Sequence, residues 1–265
     1  MTGDNTSIVV EHASKTFRLQ HHRTLKQMTF ARMRGQEISS TFQAVDDVSF
    51  TVEQGESIGL MGLNGSGKST LLKMINGVMR PDQGSVLTRG RVAGLIATGA
   101  GFHSQLSGID NIYLNAAILG LSEKETKAVF DDIVEFAELG RFLYQPVGTY
   151  SSGMQSRLGF AIAINVDCDI FLADEVLAVG DKPFKKKCMK KMEEIRDSGT
   201  TLFYVSHAAA SVEKMCSRVL VLEQGKLVFD GATKEGIDYL HYGADDGDDE
   251  FEDLQLDDSE LGADI

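Results

Sequence analysis

The run from Gly62 to Ser69 constrains the fold of this chain more than any other part of its sequence. It reads GLNGSGKS, which fits the pattern G-x-x-x-x-G-K-[ST], and it lies between the apolar run Ser57–Met61 and the helically spaced segment Ser69–Val78. A strand, a glycine-rich loop and a helix in this order let backbone N–H groups surround phosphate oxygens at the positive end of the helix. The sequence therefore predicts a phosphate-binding loop, with Lys68 on the β and γ oxygens of a nucleotide and the Ser69 hydroxyl on Mg²⁺.

A second set of functional candidates follows the apolar run Ile170–Ala173, which ends in Asp174 and Glu175. An acid at this place is suited to hold Mg²⁺, directly or through water, and we assign that role to Asp174. Glu175 is suited to orient and deprotonate an attacking water. An apolar strand ending in acids is a weak signal alone, but beside a phosphate loop it indicates ATP hydrolysis. The candidate ATP-binding residues are Gly62, Leu63, Asn64, Gly65, Ser66, Gly67, Lys68, Ser69 and Thr70.

Strand and helix patterns alternate along much of the chain, which predicts an α/β fold with a mainly parallel sheet. Strands are predicted at Ile8–Glu11, Phe42–Val52, Ser57–Met61, Ile170–Ala173, Thr201–Val205, Val219–Leu222 and Lys226–Phe229. Helices are predicted at Ser69–Val78, Glu123–Leu139, Gly153–Asn165, Lys182–Asp197 and Ala208–Met215. The block from about 101 to 166 carries no strand signal, so we predict a helical subdomain inserted into a domain that spans residues 1–243.

Charge is distributed unevenly along the chain. The net charge of the 265 residues is −13, but residues 244–265 contain eleven Asp and Glu and no Lys or Arg, which leaves −2 for the rest. A segment so charged and so poor in apolar residues has too little to bury, so we predict a disordered acidic tail. A docking tail for a basic partner is the alternative interpretation.

The remaining composition favours a chain of the reducing cytoplasm. Cys168, Cys188 and Cys216 match no zinc or redox spacing, and we expect reduced packing residues. No window approaches the roughly 20 apolar residues of a membrane-spanning helix. The first residues, MTGDNTS, lack the hydrophobic part of a signal segment.

Three further segments resemble those of the ABC transporter ATPases. Tyr150–Met154 (YSSGM) resembles the signature motif, with Ser152 and Met154 in place of its usual Gly and Gln, and Leu177–Asp181 (LAVGD) resembles the D-loop. His207, at the end of a predicted strand, resembles the switch histidine that contacts the γ-phosphate. A serine at the head of a helix is also typical of an ordinary N-cap. The resemblance implies a P-loop NTPase of the ABC type, with a mainly parallel core sheet, an antiparallel β subdomain and an inserted helical subdomain.

In that family two copies bind head to tail and enclose two ATP molecules. The resemblance therefore implies a homodimer, with ATP and Mg²⁺ as cofactors, in which Asp181 belongs to the D-loop. His207 joins Glu175 and Lys68 as a catalytic candidate. The residues expected to close on the ATP of the opposite copy are Ser151, Ser152, Gly153 and Met154.

One branch of the family is particularly similar. The runs Gly99–His103, Leu106–Leu114, Pro146–Met154 and Asp174–Asp181 look like those of polysaccharide-export ATPases. This implies a peripheral subunit on the cytoplasmic face of the cell membrane that works with two copies of a polytopic permease, transports a lipid-linked glycan (O-antigen, teichoic acid or galactan) and binds no nucleic acid. The alternatives are the ATPase of another ABC transporter class and a soluble regulatory ATPase.

Two positions depart from the family pattern or leave a choice open. Thr98 lies where the family has its Q-loop Gln, so we assign it to the Mg²⁺ site, with Gln105 as the weaker alternative for the missing Gln. Phe17 is the candidate for stacking on adenine, and a core Phe is the alternative. The basic stretch Arg18–Gly35 is predicted either to meet a membrane surface or a glycan diphosphate, or to be a solvated loop.

Overall fold

The structure is a computed structural model that describes residues 5–20, 39–94, 101–174, 181–206 and 208–240. The strands are β1 (Thr6–Gln20), β2 (Ser39–Glu53), β3 (Ser57–Met61), β4 (Gln83–Thr88), β5 (Val92–Gly94), β6 (Ile170–Asp174), β7 (Thr201–Val205), β8 (Arg218–Glu223) and β9 (Lys226–Ala232). The helices are α1 (Lys68–Ile75), α2 (Gly108–Ile118), α3 (Glu123–Ala137), α4 (Ser152–Ile164), α5 (Lys182–Asp197), α6 (Ala209–Met215) and α7 (Thr233–Tyr239), with short 3-10 turns at Gly140–Tyr144 and Val147–Thr149.

The central sheet has six strands in the order β5-β6-β7-β3-β8-β9. Every neighbouring pair is parallel except β8 and β9, which form an antiparallel hairpin. The strands β3 and β7 are buried along their whole length. This matches their continuous apolar sequences, because parallel strands covered on both faces show no alternation. The predicted α/β fold with a mainly parallel sheet is confirmed.

A second, antiparallel sheet has the order β2-β1-β4. The strand β1 is much longer than the segment Ile8–Glu11 predicted from the sequence. Register shifts between Val10 and Lys15 let β1 continue past an interruption of the alternating pattern. The strand β4 was not predicted. It pairs with β1 over Ile8–Ser14. This contact joins distant parts of the chain, so no local sequence pattern predicts it.

Helices fill the described chain between β5 and β6. Two of them begin with capping boxes, in which Ser107 pairs with Asp110 at α2 and Ser122 with Glu125 at α3. Such reciprocal bonds satisfy backbone N–H groups that a helix start leaves without partners. The helix α2 falls inside the block for which the sequence predicts helical structure without fixing its bounds.

Two hydrophobic clusters lie on opposite sides of the central sheet. One contains buried residues of β1 and β2, of α1 and of one face of the sheet, such as Val48, Leu71 and Leu172. The other contains residues of α2 to α6 and of the opposite face, such as Phe160 and Phe171. The sheet is thus covered by α1 with the antiparallel sheet on one side and by the remaining helices on the other.

None of the described helices combines the length and the apolar content needed to cross a bilayer. The three cysteines carry free thiols, and burial raises the pKa of each to about 12. They are therefore protonated near neutral pH and are poor nucleophiles.

Candidate active site

The glycine-rich loop joins the end of β3 to the start of α1. Gly62, Gly65 and Gly67 all have positive φ angles, of 141°, 81° and 108°, in the region that L side chains rarely adopt. Gly67 is the N-cap of α1, and no side chain caps the helix there. The first N–H groups of α1 therefore have no side-chain partner and face a loop that glycine lets curl around a ligand.

Lys68, the first residue of α1, folds back across the loop. Its Nζ donates to the carbonyl oxygens of Gly62 at 2.6 Å and Leu63 at 3.1 Å, and only 7% of the residue is exposed. These two carbonyls hold the ammonium inside the curve of the loop, where phosphate oxygens would replace them as partners.

Asp174 ends β6 beside the same loop. Burial raises the pKa of this carboxyl group, and the positive charges of Lys68 and Lys73 oppose that rise. Burial lowers the pKa of the Lys68 ammonium, which the charge of Asp174 opposes. Each group is thus partly desolvated, and the charge of the other opposes the pKa shift that burial causes. Pairs of groups with perturbed pKa values are frequent at functional sites.

These residues surround a cavity of about 180 Å³. It is lined by Phe42, Ala44, Asn64, Gly65, Gly67, Lys68, Ser69, Thr70 and Asp174. The lining thus includes a lysine and two hydroxyl residues, and also the aromatic residue Phe42, which is 45% exposed. The combination suits a ligand with a phosphate end and a flat aromatic end.

The loop is braced by two other parts of the fold. The amide of Gly225, in the turn between β8 and β9, donates to the Ser66 carbonyl at 3.0 Å, and the amide of Asp46 donates to the Gly225 carbonyl at 2.8 Å. The chain of bonds connects the phosphate loop through the hairpin to β2. Loop position therefore depends on both sheets.

The donor set fits a magnesium ion bound together with phosphates. Ser69 and Asp174 offer a hydroxyl and a carboxylate oxygen to the same cavity. Mg²⁺ prefers oxygen ligands and is usually held by one or two protein groups, substrate phosphates and water. The chemistry of the residues present thus agrees with that ion.

Comparison with known proteins decides the family. The family described as ABC transporter matches residues 45–178, a span that contains both the phosphate loop and Asp174. The O-antigen export system ATP-binding protein RfbB of Klebsiella pneumoniae is 44% identical over 220 residues, which cover 82% of this chain and 89% of RfbB. This chain belongs to the ABC transporter family.

Two further similarities concern the branch and the fold. The teichoic acids export ATP-binding protein TagH of Bacillus anthracis is 41% identical over 89% of this chain, and the match spans 42% of TagH. The ABC cassette MJ0796, solved as a dimer in a post-hydrolysis state with ADP and Pi, superposes with a TM-score of 0.68 over 85% of this chain and 98% of that one. Its sequence identity is 20%, so this likeness concerns the fold alone.

The segment that resembles the ABC signature motif heads α4. Ser151 is the N-cap, and its Oγ accepts from the amide of Met154 at 3.2 Å. The ordinary capping role is therefore present in this single chain. Ser151 and Ser152 are exposed, so the start of α4 remains open to a ligand carried by another molecule.

Asp181, the described end of the segment that resembles the ABC D-loop, is tied to α4. It caps α5 by accepting from the amide of Phe184 at 3.2 Å, and it accepts from the guanidinium of Arg157 in α4 at 2.8 Å. The Arg157 guanidinium also lies 4.5 Å from the centre of the Phe184 ring. These contacts fix the start of α5 relative to α4, at whose start the segment resembling the signature motif lies.

The structure brings together only part of the set of residues predicted for the ABC site. Gly62, Leu63 and Ser66 form the loop but are not among the residues that line the cavity, and Phe17 also does not line it. Neither the signature residues Ser151–Met154 nor Asp181 lines it within one chain. Thr98, Glu175 and His207 lie outside the described residues, as do the side chains of residues 19–40 and the tail from 241 onward.

Sequence reasoning missed Phe42 and Ala44. Phe42 pairs across the antiparallel sheet with Phe17, so the two side chains project from the same face. The two phenylalanines are far apart in sequence, and no local pattern could have linked them.

Proposed function

We propose that this chain is the ATP-hydrolysing subunit of an ABC transporter and works as a head-to-tail homodimer attached to a membrane permease. The observation that carries the proposal is the single cavity in which the Lys68 ammonium, the Ser69 hydroxyl and the Asp174 carboxylate meet at the mouth of the glycine-rich loop. Family membership supports the same activity.

In this proposal the residues of the chain divide the work of phosphoryl transfer. The loop amides and Lys68 bind the β- and γ-phosphates, because Nζ exchanges its two carbonyl partners for phosphate oxygens. Ser69 and Asp174, together with Thr98, would hold Mg²⁺, which neutralises charge on the phosphates when bound. Glu175 accepts a proton from the attacking water, and His207 contacts the γ-phosphate.

A second copy would complete the site. Leu63 in the phosphate loop is 68% exposed, and the capped start of α4 is exposed as well. In the described chain the segment Ser151–Met154 does not line the cavity at the phosphate loop. Docking the signature residues of one copy over the loop of another would cover both surfaces and exclude water from the γ-phosphate.

We further propose that the transported substrate is a lipid-linked polysaccharide and that the chain works at the cytoplasmic face of the membrane. The support is the 44% identity to the O-antigen exporter subunit RfbB and the 41% identity to the teichoic acid exporter subunit TagH. The alternatives are an ABC transporter of another class and a soluble regulatory ATPase. They would differ in what the closed dimer binds.

The variant Glu175→Gln tests this proposal. Removing the base should leave ATP binding intact but slow hydrolysis by about 10²-fold or more, so that ATP holds the dimer closed. We expect the tagged variant, solubilised gently with ATP, to carry an equal amount of a polytopic membrane protein, and a lipid-linked glycan on that complex would name the substrate.

Wild-type chain with ATP and the variant without ATP are the matched controls. Both should retain less of the membrane protein, since neither accumulates the closed state. Recovery of soluble partners alone would overturn the transport proposal, and hydrolysis at the wild-type rate would overturn the role of Glu175.

The position of Phe42 predicts a role in nucleotide affinity. Stacking of a base on an aromatic ring contributes roughly 1–3 kcal/mol, so Phe42→Ala should weaken ATP binding about tenfold, as measured by titration with a fluorescent ATP analogue. Phe142→Ala is the matched control, since Phe142 is also 45% exposed and does not line the cavity. If Phe17→Ala has the larger effect, the stacking role belongs to Phe17 as the sequence predicts.

A further inference from the structure

The first part of α5 carries an unusual concentration of positive charge. Residues 182–191 read KPFKKKCMKK, with six lysines and no acid. The apolar residues Phe184, Cys188 and Met192 face the core and are buried. The six lysines lie around the remaining circumference of α5, and Lys186 and Lys190 lie opposite the buried side. This surface is called here the α5 basic face and is defined by Lys182, Lys185, Lys186, Lys187, Lys190 and Lys191.

Part of this charge has partners within the described chain. Lys187 pairs with Glu138 at 2.6 Å and Lys191 with Glu194 at 3.2 Å. Lys186 and Lys190 are exposed, lie one helical turn apart, and form no ion pair with any described residue. The centre of the α5 basic face thus offers two adjacent ammonium groups to an anionic ligand.

The same chain contains a segment of opposite charge. Its last residues, 244–265, hold eleven of the 39 acidic residues and no Lys or Arg. Without this segment the net charge would be −2. The first part of α5 is therefore the most concentrated positive segment of the chain, and the tail is its most concentrated negative segment.

The geometry places the start of the tail close to α5. Lys234 of α7 pairs with Glu213 of α6 at 3.5 Å, and Lys214 of α6 pairs with Glu193 of α5 at 2.7 Å. The three helices α7, α6 and α5 are thus neighbours in that order, and helices that pack directly have axes about 8–10 Å apart.

Chain length makes the contact easy to form. The described chain ends at Leu240, just after α7. The acids from Asp245 to Asp264 follow at distances of up to about 3.3–3.6 Å per residue, so the more distal acids reach well beyond the two helix spacings to the α5 basic face. Tethering at this length gives an effective concentration of order mM, which makes even a weak electrostatic contact populated.

We propose that the α5 basic face is the docking surface for the acidic tail of the same chain, with Lys186 and Lys190 at its centre. The contact consists of ion pairs between exposed ammonium groups and tail carboxylates. It is therefore salt-sensitive, because exposed charges are screened within about 10 Å at 0.1 M salt. Since Asp181 caps the same helix, the docked tail lies next to the D-loop.

Zero-length cross-linking of the full chain with a carbodiimide tests the contact directly. This reagent joins a Lys amine to a carboxylate only when the two touch. We expect links from tail carboxylates to Lys186 and Lys190, in a product of monomer mass, that disappear in 0.5 M NaCl (about a 4 Å screening length). Links that favour Lys234 or Lys214, which lie nearer the tail, would overturn the proposal.

Other occupants give different products in the same experiment. Links to Lys26 would assign the tail to the basic stretch near the N-terminus. Links only between isotopically distinct copies would assign it to the partner of a dimer. Absence of links, with binding of the chain to phosphatidylglycerol vesicles that requires Lys186 and Lys190, would assign the surface to a membrane. Each of these results overturns docking within the chain.

A protease that cuts after Glu supplies an independent readout, because Glu250, Glu252 and Glu260 lie in the tail. Lys186→Glu with Lys190→Glu should speed cleavage of the tail about fivefold, since cleavage follows the population of undocked tail. The matched control is Lys124→Glu with Lys234→Glu, which changes net charge equally on exposed positions of α3 and α7. Equal acceleration by the two double variants would show a net-charge effect and would contradict docking at α5.

Discussion

Replacing Lys68 with Ala should reduce ATP hydrolysis by about 10²- to 10³-fold, the loss typical of removing one preorganised group that stabilises transition-state charge. The Lys68 Nζ lies inside the loop, held at 2.6 and 3.1 Å by two carbonyls that phosphate oxygens would replace. No other lysine or arginine lines the cavity in the described chain, so no neighbouring cation takes over. A phosphate-release assay at saturating ATP measures the effect.

Lys73→Ala is the matched control for that variant. Lys73 lies on the same helix and its charge also acts on Asp174, but it does not line the cavity. If positive charge on the helix mattered more than direct contact between the lysine and the phosphates, both variants would lose similar activity. We expect Lys73→Ala to keep most of it.

The fold of the Lys68→Ala variant should survive. Burial lowers the pKa of Lys68, so the charged form is less favourable in the folded chain than in the unfolded chain. Charging of this group below the folded pKa therefore disfavours folding, so the variant loses the two hydrogen bonds of Nζ but no stabilising charge. An unchanged or raised unfolding temperature beside lost activity would separate catalysis from folding.

The sequence predicted those parts of the fold that depend on local patterns. The strands β3 and β7 have the predicted bounds, β6 is one residue longer at its end, and β8 is one residue longer at each end. Their apolar runs are buried on both faces, so each run carries its own signal. The glycine-rich loop was equally local, since one pattern of eight residues specifies the turn, the helix start and the lysine.

The missed elements depend on contacts between distant residues. The strand β4 and the second part of β1 are stabilised by cross-strand pairing, with Val9 opposite both Thr51 and Leu87. The short strand β5 also depends on pairing with a distant segment, because Val92–Gly94 pairs in parallel with β6. Three residues are too few for a periodicity to appear in the sequence.

The site shows the same division between local and distant information. Lys68, Ser69 and Asp174 were found because each belongs to a short motif. Phe42 and Ala44 line the cavity only because β2 passes beside the loop, and neither residue has a motif of its own. The sequence also did not predict the hydrogen bond from Gly225 to Ser66, because the turn between β8 and β9 is far from the loop in the sequence.

The close approach of β2 to the phosphate loop predicts that two glycines of the loop tolerate substitution very differently. A Cβ at Gly67 would clash with the carbonyl oxygen of Ala44, whereas a Cβ at Gly65 would meet nothing within 4 Å. Both positions have positive φ, so both alanine variants bear similar backbone strain of about 1–3 kcal/mol. Only Gly67→Ala adds a clash with the backbone of a strand held in a sheet.

Relief of that clash requires β2 or the start of α1 to move, and both carry residues of the cavity. Overpacking of this kind costs about 1–3 kcal/mol, so Gly67→Ala should unfold at a temperature several degrees below that of Gly65→Ala (about 2–4 °C per kcal/mol). It should also bind a fluorescent ATP analogue more than about tenfold less tightly than Gly65→Ala, since 1.4 kcal/mol is tenfold in affinity. If the two variants unfold and bind alike, β2 does not set the shape of the phosphate loop. If Gly67→Ala alone fails, the loop sequence is necessary for the site but its geometry is imposed by a strand outside the motif.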